Sequence, residues 1–289
     1  MEEIMGILPP AVRGELEQGD WRGLEEIRLR RGRRAQLVFA EHTRALPCAV
    51  GEEELEYTLR LASRASIHTV LPQLRPGFLS LSGGHRLGVC GTVCLRDEEI
   101  HSISPLSGLN IRLARSVPGI GRAVMEQLCP KGVFSSTLIL APPGAGKTTL
   151  LRDVIRCLSD GIGCQSHRVG LVDERGEVAA LCRGVPQLDV GENTDVMDGC
   201  PKARGLIMLL RGMNPQVLAA DEITAEEDVQ AVRLAAGCGV RLLCTAHGAG
   251  RDDLCRRPLY RDLMAEGIFH DLLTIRVENG CRRYEVEEL

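Results

Sequence analysis

The second half of the chain alternates short apolar runs with segments of helical periodicity. The runs are four or five residues long and lie at 137–140, 169–172, 217–220 and 240–244. Near-continuous apolar runs of this length are typical of parallel strands that helices cover on both faces. The pattern therefore predicts an α/β domain with a central, mostly parallel sheet, in which ligands bind beyond the carboxyl ends of the strands.

The first part of the chain has the pattern of a smaller α+β domain. Residues 26–30 and 110–113 alternate polar and apolar side chains, which predicts half-buried strands. Residues 52–66 carry leucines at helical spacing, which predicts an amphipathic helix. The Gly83-Gly84 pair predicts the turn of a hairpin between two short strands.

Chain length and one Pro-Gly segment indicate two domains. A chain of 289 residues fits one large domain or two modest ones. The segment Pro-Gly-Ile-Gly at 118–121 lies where the hydrophobic pattern changes, and proline and glycine often interrupt regular structure. We therefore expect an α+β N-terminal domain at 1–118 and an α/β domain at 119–289.

Composition and charge narrow the class of protein. No uncharged apolar run approaches the ~18 residues of a membrane-spanning helix, and the first ten residues lack the basic segment of a secretory signal. The net charge of −4 argues against a general nucleic-acid binder. The twelve cysteines form no Cys-x-x-Cys pair, and the histidines lack the spacing of zinc ligands. We expect a cytoplasmic protein with reduced, mostly buried thiols.

The first apolar run leads into a phosphate-binding loop pattern. Residues 141–149 read Ala-Pro-Pro-Gly-Ala-Gly-Lys-Thr-Thr, with Ala141 where the pattern has its first glycine. Small residues let backbone N–H groups surround phosphate oxygens at a helix N-terminus. Lys147 can reach the β- and γ-phosphates, and the Thr148 hydroxyl can bind Mg²⁺. The pattern predicts an ATP and Mg²⁺ site whose nucleotide contacts are Pro143, Gly144, Ala145, Gly146, Lys147, Thr148 and Thr149.

Two later strands end in an Asp-Glu pair, Asp173-Glu174 and Asp221-Glu222. In motor-type ATPases with this loop, the magnesium-side Asp comes from a later strand and a neighbouring Glu polarises the attacking water. We therefore assign Asp221 to the water shell of Mg²⁺ and Glu222 as general base. The exchange of the two pairs stays open, so Asp173 and Glu174 are also candidate catalytic residues.

The last apolar run ends in the polar sequence Thr245-Ala246-His247 at the same predicted sheet edge. Either Thr245 or His247 can sense the γ-phosphate or hold the attacking water. The alternative is a histidine that only supports the strand end.

The order of these motifs resembles the secretion-type hexameric ATPases, the group of type II and type IV secretion and pilus-retraction motors. The shared elements are the phosphate loop, an acidic "Asp box" at 173–174, a Walker B pair at 221–222 and a "His box" at 245–247. The resemblance narrows to the stage III sporulation protein AA family, whose signatures the chain carries at 26–30, 83–88, 110–112, 172–177 and 195–202.

The resemblance implies a RecA-like P-loop ATPase domain with a central, mostly parallel sheet, preceded by a smaller α+β N-terminal domain. It further implies a cytoplasmic homo-hexamer that binds nucleotide between subunits. Membrane channel proteins would hold it at the membrane, where it would energise a secretion-like channel between mother cell and forespore. An arginine from the N-terminal half, Arg112 or Arg115, would reach the γ-phosphate of a neighbouring subunit.

Two other functions stay open at this point. One is a nucleotide-loaded scaffold whose hydrolysis is incidental; the combination of Lys147, Thr148, Asp221 and Glu222 argues against it. The other is a nucleic-acid motor, which would need a basic groove that the sequence does not show.

Overall fold

A computed structural model describes residues 2–63, 78–96, 99–114, 117–278 and 281–289. The chain divides into two compact units, Met1–Arg115 and Ser116–Leu289. This division lies close to the domain boundary that we expect after residue 118, and that boundary stays a prediction.

The first unit contains one antiparallel sheet with helices packed on it. Its helices are α1 (Glu2–Ile7), α2 (Pro10–Glu17) and α3 (Glu52–Ser63). Its strands are β1 (Leu24–Arg30), β2 (Arg33–Phe39), β3 (Thr43–Val50), β4 (Phe78–Ser80), β5 (Arg86–Arg96) and β6 (Glu99–Arg112), in the order β3-β2-β1-β6-β5-β4.

Alternating burial along β1 shows why this sheet forms. Ile27 and Leu29 are fully buried, whereas the arginines between and after them reach the surface. Ile27 pairs with Leu37 of β2 and Ile111 of β6, so three apolar residues line up across the sheet. The helices bury their apolar stripes in the same core. The predicted strands and the glycine-containing hairpin of this part are confirmed, as is the helix over residues 52–63, whereas residues 64–66 of that prediction lie outside the described residues.

The second unit is an α/β sandwich around a seven-stranded sheet. Its helices are α4 (Arg122–Leu128), α5 (Lys147–Asp160), α6 (Lys202–Gly212), α7 (Glu226–Gly237), α8 (Arg251–Cys255) and α9 (Pro258–Ala265). Its strands are β7 (Thr137–Ala141), β8 (Val169–Asp173), β9 (Thr194–Asp198), β10 (Val217–Ala220), β11 (Arg241–His247), β12 (Asp271–Glu278) and β13 (Cys281–Glu288). Among the described residues of this sheet, β12 and β13 form the one antiparallel pair, so the mostly parallel sheet is confirmed.

The strand order brings four carboxyl ends to one edge of this sheet. The order is β13-β12-β7-β11-β10-β8-β9. In the register, Ala141 lies beside His247, and Ala220 lies between Cys244 and Val172. Helices α4 and α5 cover one face of the sheet, and α6, α7, α8 and α9 cover the other. The segments that follow β7, β8, β10 and β11 therefore meet at the edge where ligands bind in such folds.

The cysteines differ from the expectation of mostly buried thiols. All twelve are free, but only Cys129, Cys157 and Cys244 are buried. Five are exposed because they lie on the projecting part of β5, at helix ends or at the start of the edge strand β13: Cys90, Cys94, Cys238, Cys255 and Cys281. Within the described ranges, no helix has both the length and the hydropathy that crossing a membrane requires.

Candidate active site

The phosphate loop connects β7 to the N-terminus of α5. Gly144 and Gly146 adopt left-handed backbone conformations, with φ of 75° and 100°, which explains the need for glycine at both positions. Helix α5 begins at Lys147 and ends at Asp160, where the left-handed Gly161 caps it. The loop therefore presents the amide end of a well-packed helix at the carboxyl edge of the sheet.

Lys147 is buried and points back across the loop. Its ammonium nitrogen lies 3.3 Å from the carbonyl oxygen of Ala141 and 2.7 Å from Nδ1 of His247. Burial lowers the pKa of Lys147, while the carboxylates of Glu222 and Asp221 act in the opposite direction. Because an ammonium group only donates, we assign Nδ1 of His247 as acceptor and place the ring proton on Nε2.

Asp221 lies at the centre of a hydroxyl network just beyond β10. Its Oδ2 accepts a hydrogen bond from the Thr148 hydroxyl at 2.8 Å, and its Oδ1 accepts one from the Thr245 hydroxyl at 2.5 Å. Burial raises the pKa of Asp221, and these two hydrogen bonds oppose the rise. The two residues assigned to Mg²⁺, Thr148 and Asp221, are thus in direct contact although 73 positions separate them.

Glu222 turns its carboxylate toward the same edge. Its Oε1 lies 2.6 Å from Nε2 of His247, and its Oε2 lies 2.9 Å from an Nη of Arg175. The residue has a φ of 48°, which non-glycine residues seldom adopt and which often accompanies a functional constraint. Its backbone N–H donates to the Thr245 hydroxyl at 2.9 Å, and the N–H of Ile223 donates to the Thr245 carbonyl. These bonds to β11 hold Glu222 in its unusual conformation.

Asp173 and Glu174 have other partners than this cluster, and their role as candidate catalytic residues stays a prediction. Asp173 is 1% exposed, and its carboxylate accepts hydrogen bonds from four successive backbone N–H groups, those of residues 177–180, at 2.7–3.1 Å. Glu174 points to the ammonium group of the buried Lys202 at the start of α6. A carboxylate with this many backbone donors holds the shape of its loop.

Of the two arginines proposed to act in trans, the structure describes Arg112 only. Arg112 is the last residue of β6 in the first unit, where its exposed side chain lies 3.7 Å from the carboxylate of Glu26. Arg115 lies outside the described residues. Their role in a neighbouring subunit stays a prediction.

Three arginines near the site escaped the sequence reasoning. Arg175 lies beside the carboxylate of Glu222. Arg152 of α5 donates to the carbonyl groups of residues 177 and 178. Arg282 of β13 donates from Nε to the carbonyl of Ala145 at 2.8 Å. Arg175 directly follows the Asp173-Glu174 pair, and this adjacency could have indicated it. Nothing in the local sequence places Arg282 beside a loop 137 positions earlier.

The match of the whole chain to one family decides its identity. A profile of the family described as "Sporulation stage III, protein AA" matches residues 1–285. The chain belongs to the stage III sporulation protein AA family. Stage III sporulation protein AA of Bacillus subtilis (strain 168) is 35% identical over 284 residues, which are 97% of this chain and 92% of that protein. The "Uncharacterized protein ycf45" of Porphyra purpurea is 28% identical over 275 residues, and the match covers 43% of its length.

Solved structures identify the fold of this family member. The pilus retraction motor PilT with bound ADP has a TM-score of 0.64 and 18% identity, covering 92% of this chain and 79% of PilT. The Legionella pneumophila ATPase DotB has a TM-score of 0.62 and 15% identity, covering 96% of this chain and 81% of DotB. The fold is therefore the RecA-like fold of secretion ATPases preceded by an N-terminal domain, as the resemblance implies.

The donor set of this AA-family site fits a nucleotide with Mg²⁺. The hydroxyl of Thr148 and the carboxylate of Asp221 are hard oxygen donors of the kind that Mg²⁺ prefers, and they already lie 2.8 Å apart. The Lys147 ammonium and the amide end of α5 provide positive charge for phosphate oxygens. The predicted site residues that the structure brings together are Lys147, Thr148, Asp221, Glu222 and His247. Their chemical roles stay predictions.

Proposed function

We propose that the chain is an ATP-hydrolysing motor of the secretion-ATPase type. The main support is the contact network that joins Lys147 to Glu222 through His247, and Thr148 to Asp221, across three neighbouring elements of the sheet edge. The family membership and the fold shared with PilT and DotB agree with this proposal.

The phosphate loop binds the triphosphate. The N–H groups of residues 144–149 surround the phosphates, and Lys147 donates to the β- and γ-phosphate oxygens. Thr148 and Asp221 would hold Mg²⁺, which would offset negative charge on the phosphates. The ammonium group of Lys147 contacts the ring of His247 and the carbonyl oxygen of Ala141. When a nucleotide binds, phosphate oxygens replace these two acceptors.

Glu222 activates the attacking water. It accepts the water proton while the water oxygen bonds to the γ-phosphorus and the bond to the bridging oxygen breaks, which yields ADP and phosphate. General-base assistance of this kind contributes about 10²–10⁴-fold in rate. The carboxylate is well placed because its side chain is only 16% exposed and both oxygens have a defined partner.

His247 connects the two tasks. Its Nδ1 accepts from Lys147, which binds phosphate, and its Nε2 lies 2.6 Å from Oε1 of Glu222, which activates water. When phosphate oxygens compete for the Lys147 protons, the ring loses a donor on one side, and the Glu222 contact changes with it. We assign His247 as the residue that reports the γ-phosphate to Glu222.

The larger assembly follows from the family resemblance. The chain acts as a homo-hexamer with nucleotide between subunits, and Arg112 or Arg115 completes the site of a neighbour. Such an arginine in trans contributes about 10³–10⁵-fold in rate. The assembly lies in the cytoplasm, where membrane channel proteins hold it at the membrane. It energises a secretion-like channel between mother cell and forespore.

The substitution Glu222→Gln tests the hydrolytic function, since it keeps the size of the side chain and removes the proton acceptor. We expect ATP affinity, measured by fluorescence titration, to stay within about twofold, and kcat for phosphate release to fall about 100-fold or more. Glu174→Gln, at the other acidic strand end, is expected to have the smaller effect.

The reverse result, a normal Glu222→Gln protein and an inactive Glu174→Gln protein, would show that the two acidic strand ends have exchanged roles. A wild-type chain that binds ATP and does not hydrolyse it would favour the scaffold function.

A further inference from the structure

We propose that Arg175 is the positioning residue for Glu222 and that the acidic loop at 173–180 serves to deliver it. This inference rests on the proposed ATPase function, because Glu222 acts on water only there. Arg175 follows β8, and Glu222 follows β10. Their ion pair therefore connects the loops that follow the two acidic strand ends.

The first support is the way Asp173 fixes the loop. Its carboxylate binds the N–H groups of residues 177–180, and Ala180 takes a left-handed φ of 51° at the end of this turn. A carboxylate with several backbone donors holds a loop much as an N-cap holds a helix start. Arg175 lies inside the chain segment that this ring of hydrogen bonds closes.

The second support is a clamp from the opposite side of the loop. The guanidinium group of Arg152 on α5 is buried and donates to the carbonyls of Val178 at 2.5 Å and Glu177 at 2.6 Å. Asp173 thus holds the N–H groups of the loop, and Arg152 holds its carbonyls. Since α5 also carries Lys147 and Thr148, Arg152 ties the position of Arg175 to the helix that begins the phosphate site.

The third support is the environment of the Glu222 carboxylate. Arg175 faces it at 2.9 Å from the β8 loop, and His247 faces it at 2.6 Å from β11. Lys147 of α5 and the neighbouring Asp221 add charges of opposite sign nearby. One nitrogen lies close to each carboxylate oxygen, so the carboxylate is held from two sides, and each oxygen keeps a lone pair that can accept from water.

The exposed side chain of Arg175 indicates that its contact with Glu222 contributes little to the stability of the fold. Its side chain is 62% exposed, and ion pairs with so exposed a member add little to stability. Loss of the guanidinium group is therefore expected to leave the fold intact and to appear in turnover, because a misplaced catalytic group costs up to about 100-fold in rate.

The test compares Arg175→Ala and Arg175→Lys with wild type. We expect Arg175→Ala to unfold at the wild-type urea midpoint, to bind ATP within about twofold of wild type, and to lose about 10- to 100-fold in kcat. Arg175→Lys is expected to recover part of kcat, because lysine keeps the charge but not the planar fork. Arg233→Ala is the matched control, since Arg233 also pairs with a carboxylate, Glu266 at 2.7 Å, on the helical side of the unit.

Two further measurements make the result specific. In a protein that already carries Glu222→Gln, Arg175→Ala is expected to cause no further loss of kcat, since Arg175 acts only through Glu222. Binding of ADP with aluminium fluoride and Mg²⁺, a mimic of the transferring phosphate, is expected to weaken about tenfold or more in Arg175→Ala while ADP alone binds as in wild type.

The outcomes separate the two proposals. If wild type hydrolyses ATP, Glu222→Gln does not, and Arg175→Ala behaves as wild type, the positioning role is overturned and the ATPase function stands. A rise in kcat in Arg175→Ala would also overturn it, because Arg175 would then restrain Glu222. Absence of hydrolysis by wild type would overturn both proposals.

Discussion

Two features of the phosphate loop require glycine at position 146: its backbone conformation and the nearby side chain of Arg282. Its φ of 100° is a left-handed value, and a Cβ at this position would lie 3.1 Å from Nε of Arg282. The sequence alone predicts a small residue here, since the loop pattern requires it. The approach of Arg282 is visible only in the structure, because it arrives from the last strand.

Gly146→Ala is expected to lower the free energy of unfolding by about 1–2 kcal/mol, the cost of a left-handed conformation for a residue with a Cβ. Urea unfolding measures this change. Gly237→Ala is the control, because Gly237 lies in the last turn of α7 with open space around it and alanine favours helix. A Gly146→Ala protein as stable as wild type would show that the loop does not hold this conformation.

At the scale of elements, strand ends were predictable and the loops between them were not. Apolar runs mark β7, β8, β10 and β11, because strands buried on both faces can hold few polar residues. Strands β9 and β13 lack such runs because they are only partly buried, so the sequence reasoning missed them. The same limit applies to Asp173: its place at a strand end was clear, but its backbone partners depend on how the loop folds back.

Asp173→Asn is expected to lower the free energy of unfolding by about 1–3 kcal/mol, because the amide NH₂ would face backbone N–H groups in a site that is almost fully buried. Asp160→Asn is the matched control, since Asp160 is exposed and accepts one backbone bond, from Glu192, which an amide oxygen can also accept. Equal urea midpoints for the two variants would contradict the loop-holding role of Asp173.

At the scale of the whole molecule, the chain brings together groups that are distant in sequence but ordered by one sheet. Helix α5 provides Lys147 and Thr148, and the turn after β10 provides Asp221 and Glu222. These four residues are recognisable in the sequence because each follows an apolar run, and ligand-binding residues of a parallel sheet lie at the carboxyl ends of its strands. Arg175 and Arg282 are not recognisable in this way, because their positions depend on tertiary contacts.

The central claim is that this edge of the sheet is a triphosphate site, and equilibrium binding of ATP with Mg²⁺ to wild type and Lys147→Ala tests it most directly. Calorimetric titration is expected to show saturable binding to the wild-type chain. Lys147→Ala is expected to bind about tenfold or more weakly, because the phosphate oxygens lose a charge-assisted donor. Equal affinity of the two proteins would contradict the account.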